Sequence, residues 1–531
     1  VQAAGSKGQA ADAKHVHPYQ PWQFYVASYG AKGDGKVIAD AVMASTGSGV
    51  LTSATAGFTA GDVGKFIIVN VGTAGQNQAP LCTTIASFQS ATQVTLTANP
   101  PATAAGNPAI YGTDDVTAIN AAITAANSYA VAGKRRGQVI FDALIYCLGS
   151  ATTKGSSGGP YYGNSILPIP VSDTTGASGK VNLDFTGAGP ADETIYWEQK
   201  VPLVTGTALV PMYAAPAPDG TWGIPSVIGG PTVASGSGFS LTGGFANLRV
   251  HLDGIKIVVP YNPGWIGMDA RYLACSTGGR YGYQAFSVGV LGGGLGPNTG
   301  SVPGGSWNFN GSAWRFPVIN NNDLCDVDSL TAEGVADAIW IADHVTIRSL
   351  KCINNANGIV VDATSGSASG HVHGSWIGYA SLEAQSGNGI IVSGSGYSQF
   401  PLVIGLLDSE NSGSLTDVND SGILTGTVGW YNINGSVPKV TGTTGIKLVN
   451  HRLTPGPWGS PPAVPASGVA VAASAMPWRD AAVTVTGGTN VTAITVGGTA
   501  TGVTFGTVIV PSGQSVAVTY SSAPSWTWVL L

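Results

Sequence analysis

Ala338-Ile339-Trp340-Ile341-Ala342-Asp343 and Gly358-Ile359-Val360-Val361-Asp362-Ala363 are one short pattern met twice, about twenty positions apart. Each is an apolar strand that runs into an acidic turn, and Ser329-Leu330 and Ser349-Leu350 repeat at the same interval. Gly389-Ile390-Ile391-Val392 brings a third copy about thirty residues after Gly358. A period of roughly 20 to 30 residues marks a stacked repeat. One coil cannot bury its apolar face alone, so Ile339, Ile341, Ile359, Val361, Ile390 and Val392 are expected to stack into one continuous interior. The stretch from Asp326 to Gly396 therefore predicts a right-handed parallel β-helix, and its lengthened coils carry loops on one face.

Outward from that stretch, the composition agrees with stacked strands. Of 531 residues 77 are Gly, 44% are hydrophobic and only 9% are charged. That balance suits strands and turns better than helical bundles, and it argues against a disordered chain. The formal net charge of −6, with Lys134-Arg135-Arg136 as the one tight basic cluster, argues against nucleic acid, whose phosphates need extensive cationic surface. No apolar run reaches the roughly 18 residues that cross a membrane, and the first residues lack the basic-then-apolar layout of a signal peptide. No membrane insertion is expected. Cys82, Cys147, Cys275, Cys325 and Cys352 form no CxxC pair and show no metal-ligand spacing. They read as small buried residues, with Cys325 and Cys352 either interior neighbours or a disulfide. Neither a metal nor a cofactor is expected.

In chain order, residues 1–23 read as an arm or linker that orders against a partner. The β-helix begins at 24–150 with the strand Phe24-Tyr25-Val26 and a glycine turn. A helix at 113–128 follows, with Thr113 as N-cap, Asp114 and Asp115 at the positive end of the dipole, and Val116, Ile119, Ile123 and Ala126 in one stripe. It is expected to close the open end of the solenoid. Residues 36–112 between them read as a small β insertion with strands near 49–52, 65–69 and 93–97. The β-helix proper spans 151–453, interrupted from Pro260 to Pro317 by a long Gly-, Trp- and Asn-rich segment. A proline-rich linker is expected at 454–468, and hairpins at 469–531 predict a C-terminal β-sandwich. The chain is thus all-β with one capping helix.

Tyr29-Gly30-Ala31-Lys32-Gly33-Asp34-Gly35, with Thr113-Asp114-Asp115 opening a helix, resembles the start of the pectate-lyase-like β-helix superfamily. The insertion between these motifs is similar to one in tail proteins of phages that infect actinobacteria. Trp478-Arg479-Asp480 and Pro524-Ser525-Trp526-Thr527-Trp528 resemble C-terminal modules of tail and receptor-binding proteins of such phages. The resemblance covers most of the chain. It implies a tailspike or minor tail protein on the virion tail, a homotrimer that binds host cell-surface polysaccharide and is a candidate depolymerase. It also implies that the N-terminal arm attaches to other phage tail proteins. A free secreted bacterial polysaccharide hydrolase or lyase of the same fold, and a structural tail component without ligand, are the alternatives.

Glycoside hydrolysis needs two carboxyl groups roughly 5 to 9.5 Å apart. Neighbouring strands stand about 4.8 Å apart, so acids on successive coils meet that requirement. Asp343 and Asp362 are the first-choice pair, Asp326 and Asp328 share one strand face, and His371 in Gly370-His371-Val372-His373-Gly374 is a candidate assistant. The same acids also read as Asx turns at strand ends. Trp265, Trp307, Trp314, Trp376, Trp430 and Tyr431 are expected in loops or beside turns, where an exposed ring stacks on a sugar face. Core packing or subunit contact is the other reading of each. Trp340, inside an apolar strand, is expected in the core.

Overall fold

The computed structural model describes residues 21–72, 80–134, 136–149, 165–169, 181–189, 205–213, 226–229, 245–260, 265–270, 273–286, 311–316, 325–341, 344–353, 355, 357–362, 374–383, 385, 388–393, 400–409, 416–419, 424–431, 440–441, 445–450, 456–457, 462–472, 480–486, 490–511 and 514–530.

Two parallel sheets form the body of the molecule. The first has fourteen strands and runs through Gln23–Tyr25, Arg136–Ile140, Val181–Thr186, Phe245–Asp253, Leu273–Phe286, Cys325–Glu333, Val345–Ile353, Ser375–Glu383, Phe400–Ser409, Leu424–Tyr431 and Gly445–Asn450. The second has nine, among them Ile266–Asp269, Ser312–Arg315, Asp337–Ile341, Asn357–Asp362 and Asn388–Ser393. From Ile266 onward the chain visits the two sheets in turn. Every pairing within them is parallel, as a solenoid requires, and the fold is a right-handed parallel β-helix.

Side chains of one kind stack in columns because the strands are in register. Val327, Ile347, Ile377, Ile404 and Val428 are successive partners in the first sheet. Met268, Trp314, Ile339, Ile359 and Ile390 are successive partners in the second. All ten are buried in one cluster, and each contributes about 1.5 to 3 kcal/mol by leaving water. In the long strands the in-out alternation breaks once. Asp328 and Ser329 both face away from the core between buried Val327 and Leu330, and the strand turns a corner there. Each long strand therefore spans two flanks of the solenoid.

Stacking also buries the turns, whose backbone groups then need partners. Asn355 is fully buried, accepts from Val335 N–H at 2.9 Å and donates to Ala332 O at 3.1 Å. Gln385 repeats the device one coil on, donating to Cys352 O at 2.9 Å. Asp337 opens its strand as a third such group, accepting from Asn357 Nδ2 at 2.8 Å and Trp340 Nε1 at 2.9 Å.

The helix Val116–Tyr129 caps the first coils, and its buried Val116, Ile119, Ile123 and Ala126 share the cluster of Val139 and Phe141. Its N-cap is Asp115 and not Thr113. The backbone N–H and hydroxyl of Thr113 instead donate to Asp34 at 2.8 and 2.9 Å. Asp115 accepts from Lys32 and Gly33 N–H at 2.6 and 3.1 Å, so it ties the glycine turn to the helix start. Gly33 needs this freedom, since it sits at φ 55°.

Lys36–Met43, Val50–Thr52, Gln93–Leu96, Leu81–Ser90, Phe66–Val69 and Ala104–Gly112 close a six-stranded antiparallel barrel with its own core. Ile68 and Ile110 on its outside pack with Cys147, Ala208, Val210 and Val258 of the β-helix. Lys65 adds ion pairs to Asp34 at 2.6 Å and Asp62 at 2.9 Å. Towards the C-terminus two antiparallel four-stranded sheets pack around Val483, Val485, Ile494, Val508, Val518, Trp526 and Trp528. The linker expected at 454–468 is partly built into this module. Gly456–Pro457 pairs with Val529 and Leu530, and Pro462 O accepts from Trp526 Nε1 at 2.7 Å.

All five cysteines are free. Cys325 is level with Val345 and Cys352 with Ala332, so the two lie at opposite ends of neighbouring strands and cannot bridge.

Candidate functional site

One strand, Ser375–Glu383, displays most of the chemistry on the outside of the β-helix. Trp376 and Gly378 stand on its first flank, Tyr379 at the corner, and Ser381 and Glu383 on its second flank. The alternation of buried Ser375, Ile377, Ala380 and Leu382 turns Trp376, Gly378, Tyr379 and Glu383 outward, while Ser381 shares the outward register but is covered, as is its partner Asp408.

On the first flank the outward column reads Asp326, Thr346, Trp376 and Val403. Trp376 is 43% exposed, the largest ring offered to solvent on these coils among the described residues. A Cβ added at Gly378 would meet its ring carbons at 2.7 and 3.3 Å, and one added at Gly405 would meet Gly378 O at 2.7 Å. The six-membered ring of the indole thus lies close against glycine backbone while much of the side chain stays open to solvent, which suits contact with the apolar face of a pyranose. Asp328 and Arg348 pair at 3.2 Å on the adjoining column, both well exposed, so their attraction is worth little to stability.

On the second flank Thr331, Lys351, Ser381 and Asp408 are successive partners. Glu383 accepts from Ser381 Oγ at 2.8 Å and stands 3.6 Å from Lys351 Nζ. Tyr379 donates to Asp408 Oδ2 at 3.4 Å. Burial raises the Asp408 pKa above the ordinary carboxylate value, the Tyr379 hydrogen bond opposes it, and the charge of Glu383 adds to it. Burial and then the Asp408 charge push the Tyr379 phenol up. A carboxyl with a raised pKa beside a carboxylate paired with a cation is the pairing that acid-catalysed glycoside cleavage uses.

Of the expected residues, Asp326, Asp328 and Trp376 share this outer face. Asp362 ends a strand of the second sheet, away from them. Asp343, His371 and Trp307 lie outside the described residues, as do the side chains of Asp362, Trp430 and Tyr431. Trp430 and Tyr431 belong to a strand and not to a turn, and Tyr431 is level with Asp408. Two of the expected sugar platforms are interior. Trp314 is fully buried in the column of Met268 and Ile339, stacks on Phe316 at 5.2 Å and donates to Ser276 Oγ. Trp265 is fully buried edge-on to Tyr213 at 5.3 Å and donates to Tyr213 O. The strand of Trp314, and the strand Ile266–Asp269 that Trp265 immediately precedes, are buried on both faces, so no alternation marks them as strands. Trp340 departs the other way. Between inward Ile339 and Ile341 it faces out, half-buried, under the Arg315 guanidinium at 4.2 Å. Tyr379, Glu383 and Asp408 escape sequence reasoning because unequal loops hide which coil positions are level.

Among the described residues no three His, Cys, Asp or Glu side chains gather to hold a metal, and no helix is long and apolar enough to cross a membrane. No family model matches the chain, and no curated protein matches it. A search of solved structures returns the crystal structure of the tailspike protein gp49 from Pseudomonas phage LKA1, at 11% identity and TM-score 0.22, covering 94% of this chain and 82% of that one. At that distance the likeness decides nothing about function.

Proposed function

We propose that the chain is a tailspike or tail-tip receptor-binding protein of a phage that infects actinobacteria. In this reading it binds host envelope polysaccharide on the outer face centred on Ser375–Glu383 and cleaves it there. The observation that carries the binding is the exposed indole of Trp376 against glycine backbone, beside a corner rich in carboxylate acceptors. The order of cap, inserted barrel, solenoid and terminal sandwich supports the virion assignment through the motif resemblance given above. The acid of Asp408 and the carboxylate of Glu383 are the pair assigned to cleavage, with Tyr379 setting the Asp408 carboxyl. Assembly as a homotrimer and attachment to other tail proteins through residues 1–23 belong to the same proposal, since parallel solenoids side by side form long grooves under closed symmetry.

A free polysaccharide hydrolase of the same fold is the second reading, favoured by the Tyr379, Glu383 and Asp408 corner. Incubation with arabinogalactan and other envelope glycans, scored for binding and for new reducing ends, tests both. Binding with cleavage is the expected result. Binding without cleavage retires the enzyme, and neither would leave a structural tail component.

A further inference from the structure

We infer that the polysaccharide taken on this face is uncharged, an inference that rests on the reading of the face as a glycan site. Between positions 325 and 450 the sequence has eleven Asp and Glu against four Lys and Arg, a formal −7, while the whole chain carries −6. The rest of the protein is therefore close to neutral, and the acidic excess is concentrated in the coils that present Trp376. Around the indole that excess points outward in Asp326, Asp328 and Glu383, with Asp408 covered one coil further on. The cations on the coils beside the indole are paired, Arg348 with Asp328 and Lys351 with Glu383, and exposed Arg280 lies three coils from Tyr379 in the corner column. A uronate or phosphate chain laid over Trp376 would meet like charge, which raises the cost of approach and slows encounter.

A neutral sugar brings what the face lacks. Its hydroxyls donate, and carboxylates accept. Asp408 is 8% exposed, and no described group hydrogen-bonds its Oδ1. A buried oxygen left in this way calls for a hydrogen-bond partner, which a sugar hydroxyl, donor and acceptor alike, supplies without bringing a second charge into a covered site. The stacked ring supplies the remaining contact without any charge.

The full chain is tested on an array of arabinogalactan and dextran as neutral probes and polygalacturonate and teichoic acid as polyanions, at about 20 and about 300 mM salt, where screening differs strongly. The expected result is binding to a neutral probe that changes less than about twofold with salt, and polyanion binding at least about tenfold weaker. Tighter binding to a polyanion, weakening with salt, overturns the inference and leaves the glycan site standing. No binding to any probe overturns the glycan site itself and the inference with it. The Asp326→Lys, Asp328→Lys double variant keeps the fold, since both residues face outward, and is expected to gain polygalacturonate binding. A variant that folds but gains none shows that like charge is not what excludes the polyanion.

Discussion

The Trp376 indole lies along Gly378, so close that a Cβ on the glycine would stand 2.7 Å from the ring. Any side chain at 378 therefore lifts or turns the indole. The same Cβ would stand 2.7 Å from Arg348 O on the neighbouring strand, so the smallest change, Gly378→Ala, is the probe: a variant that melts as the parent does is expected to bind glycan about tenfold more weakly, a loss of about 1.4 kcal/mol. Titration of one glycan against both proteins checks this, and equal affinity would show that the pose of the ring does not matter.

Glu383→Gln and Asp408→Asn each keep shape and remove a charge or an acid. Reducing-end release is expected to fall by about a hundredfold or more in either, the scale of a lost general acid or base, with binding reduced far less. Tyr379→Phe leaves Asp408 without its hydrogen bond and should shift the alkaline limb of the pH-rate profile upward, because Asp408 is the acid and that bond holds its pKa down. An unmoved limb would exclude the phenol from this role.

Trp314 and Trp376 should behave as opposites in unfolding. Trp314→Ala opens a hole in the interior column and is expected to cost about 3 to 5 kcal/mol. Trp376→Ala, at an exposed site, should stay within about 1 kcal/mol. Urea denaturation measures both, and similar losses would contradict the interior and exterior placements.

The seam between barrel and capping helix predicts a pH profile. Burial pushes the Asp115 carboxyl up to about 6, outweighing its bonds from Lys32 and Gly33, and the charges of Asp34 and Asp114 add to the rise. Unfolded Asp titrates near 3.9, so the folded state binds this proton more tightly and gains stability as pH falls through about 6. Burial also acts to raise Asp34 and Asp62, but Lys65 and their other hydrogen bonds outweigh it and hold both below the ordinary value. Their stabilisation is present above about 4 and is lost as pH falls further. Thermal unfolding of this region should thus rise or hold from about pH 7 to 5 and drop below about 4. A steady fall from 7 to 5 would contradict the Asp115 assignment, and Lys65→Met should blunt only the drop at low pH.

The fold was legible where alternation is strict. Ile339 and Ile341 over Ile359 and Val361 read as strands because each has an outward neighbour between two inward ones, and the same logic should have turned Trp340 outward. Trp314 misled because a strand buried on both faces loses that signal, and Trp265, just before such a strand, is buried where an exposed ring was expected. Most of the site was hidden by register. The partners Val327, Ile347, Ile377, Ile404 and Val428 fall at unequal spacings along the chain, so nothing local says that Ser381 is level with Asp408. Tyr379 and Asp408 are 29 residues apart and meet only once the coils are stacked. Asp326 and Asp328 could be named in advance because a carboxylate in an apolar strand turns to water, whereas Trp376 was expected in a loop or beside a turn and stands instead on the outward side of a strand.

The most direct measurement is a crystal structure of the chain with an oligosaccharide cut from the polysaccharide it binds. A sugar ring within about 4 Å of the Trp376 indole, with its neighbour crossing the corner towards Glu383 and Asp408, is the predicted result. Sugar held on the terminal sandwich, or anywhere that leaves Trp376 bare, would contradict the account.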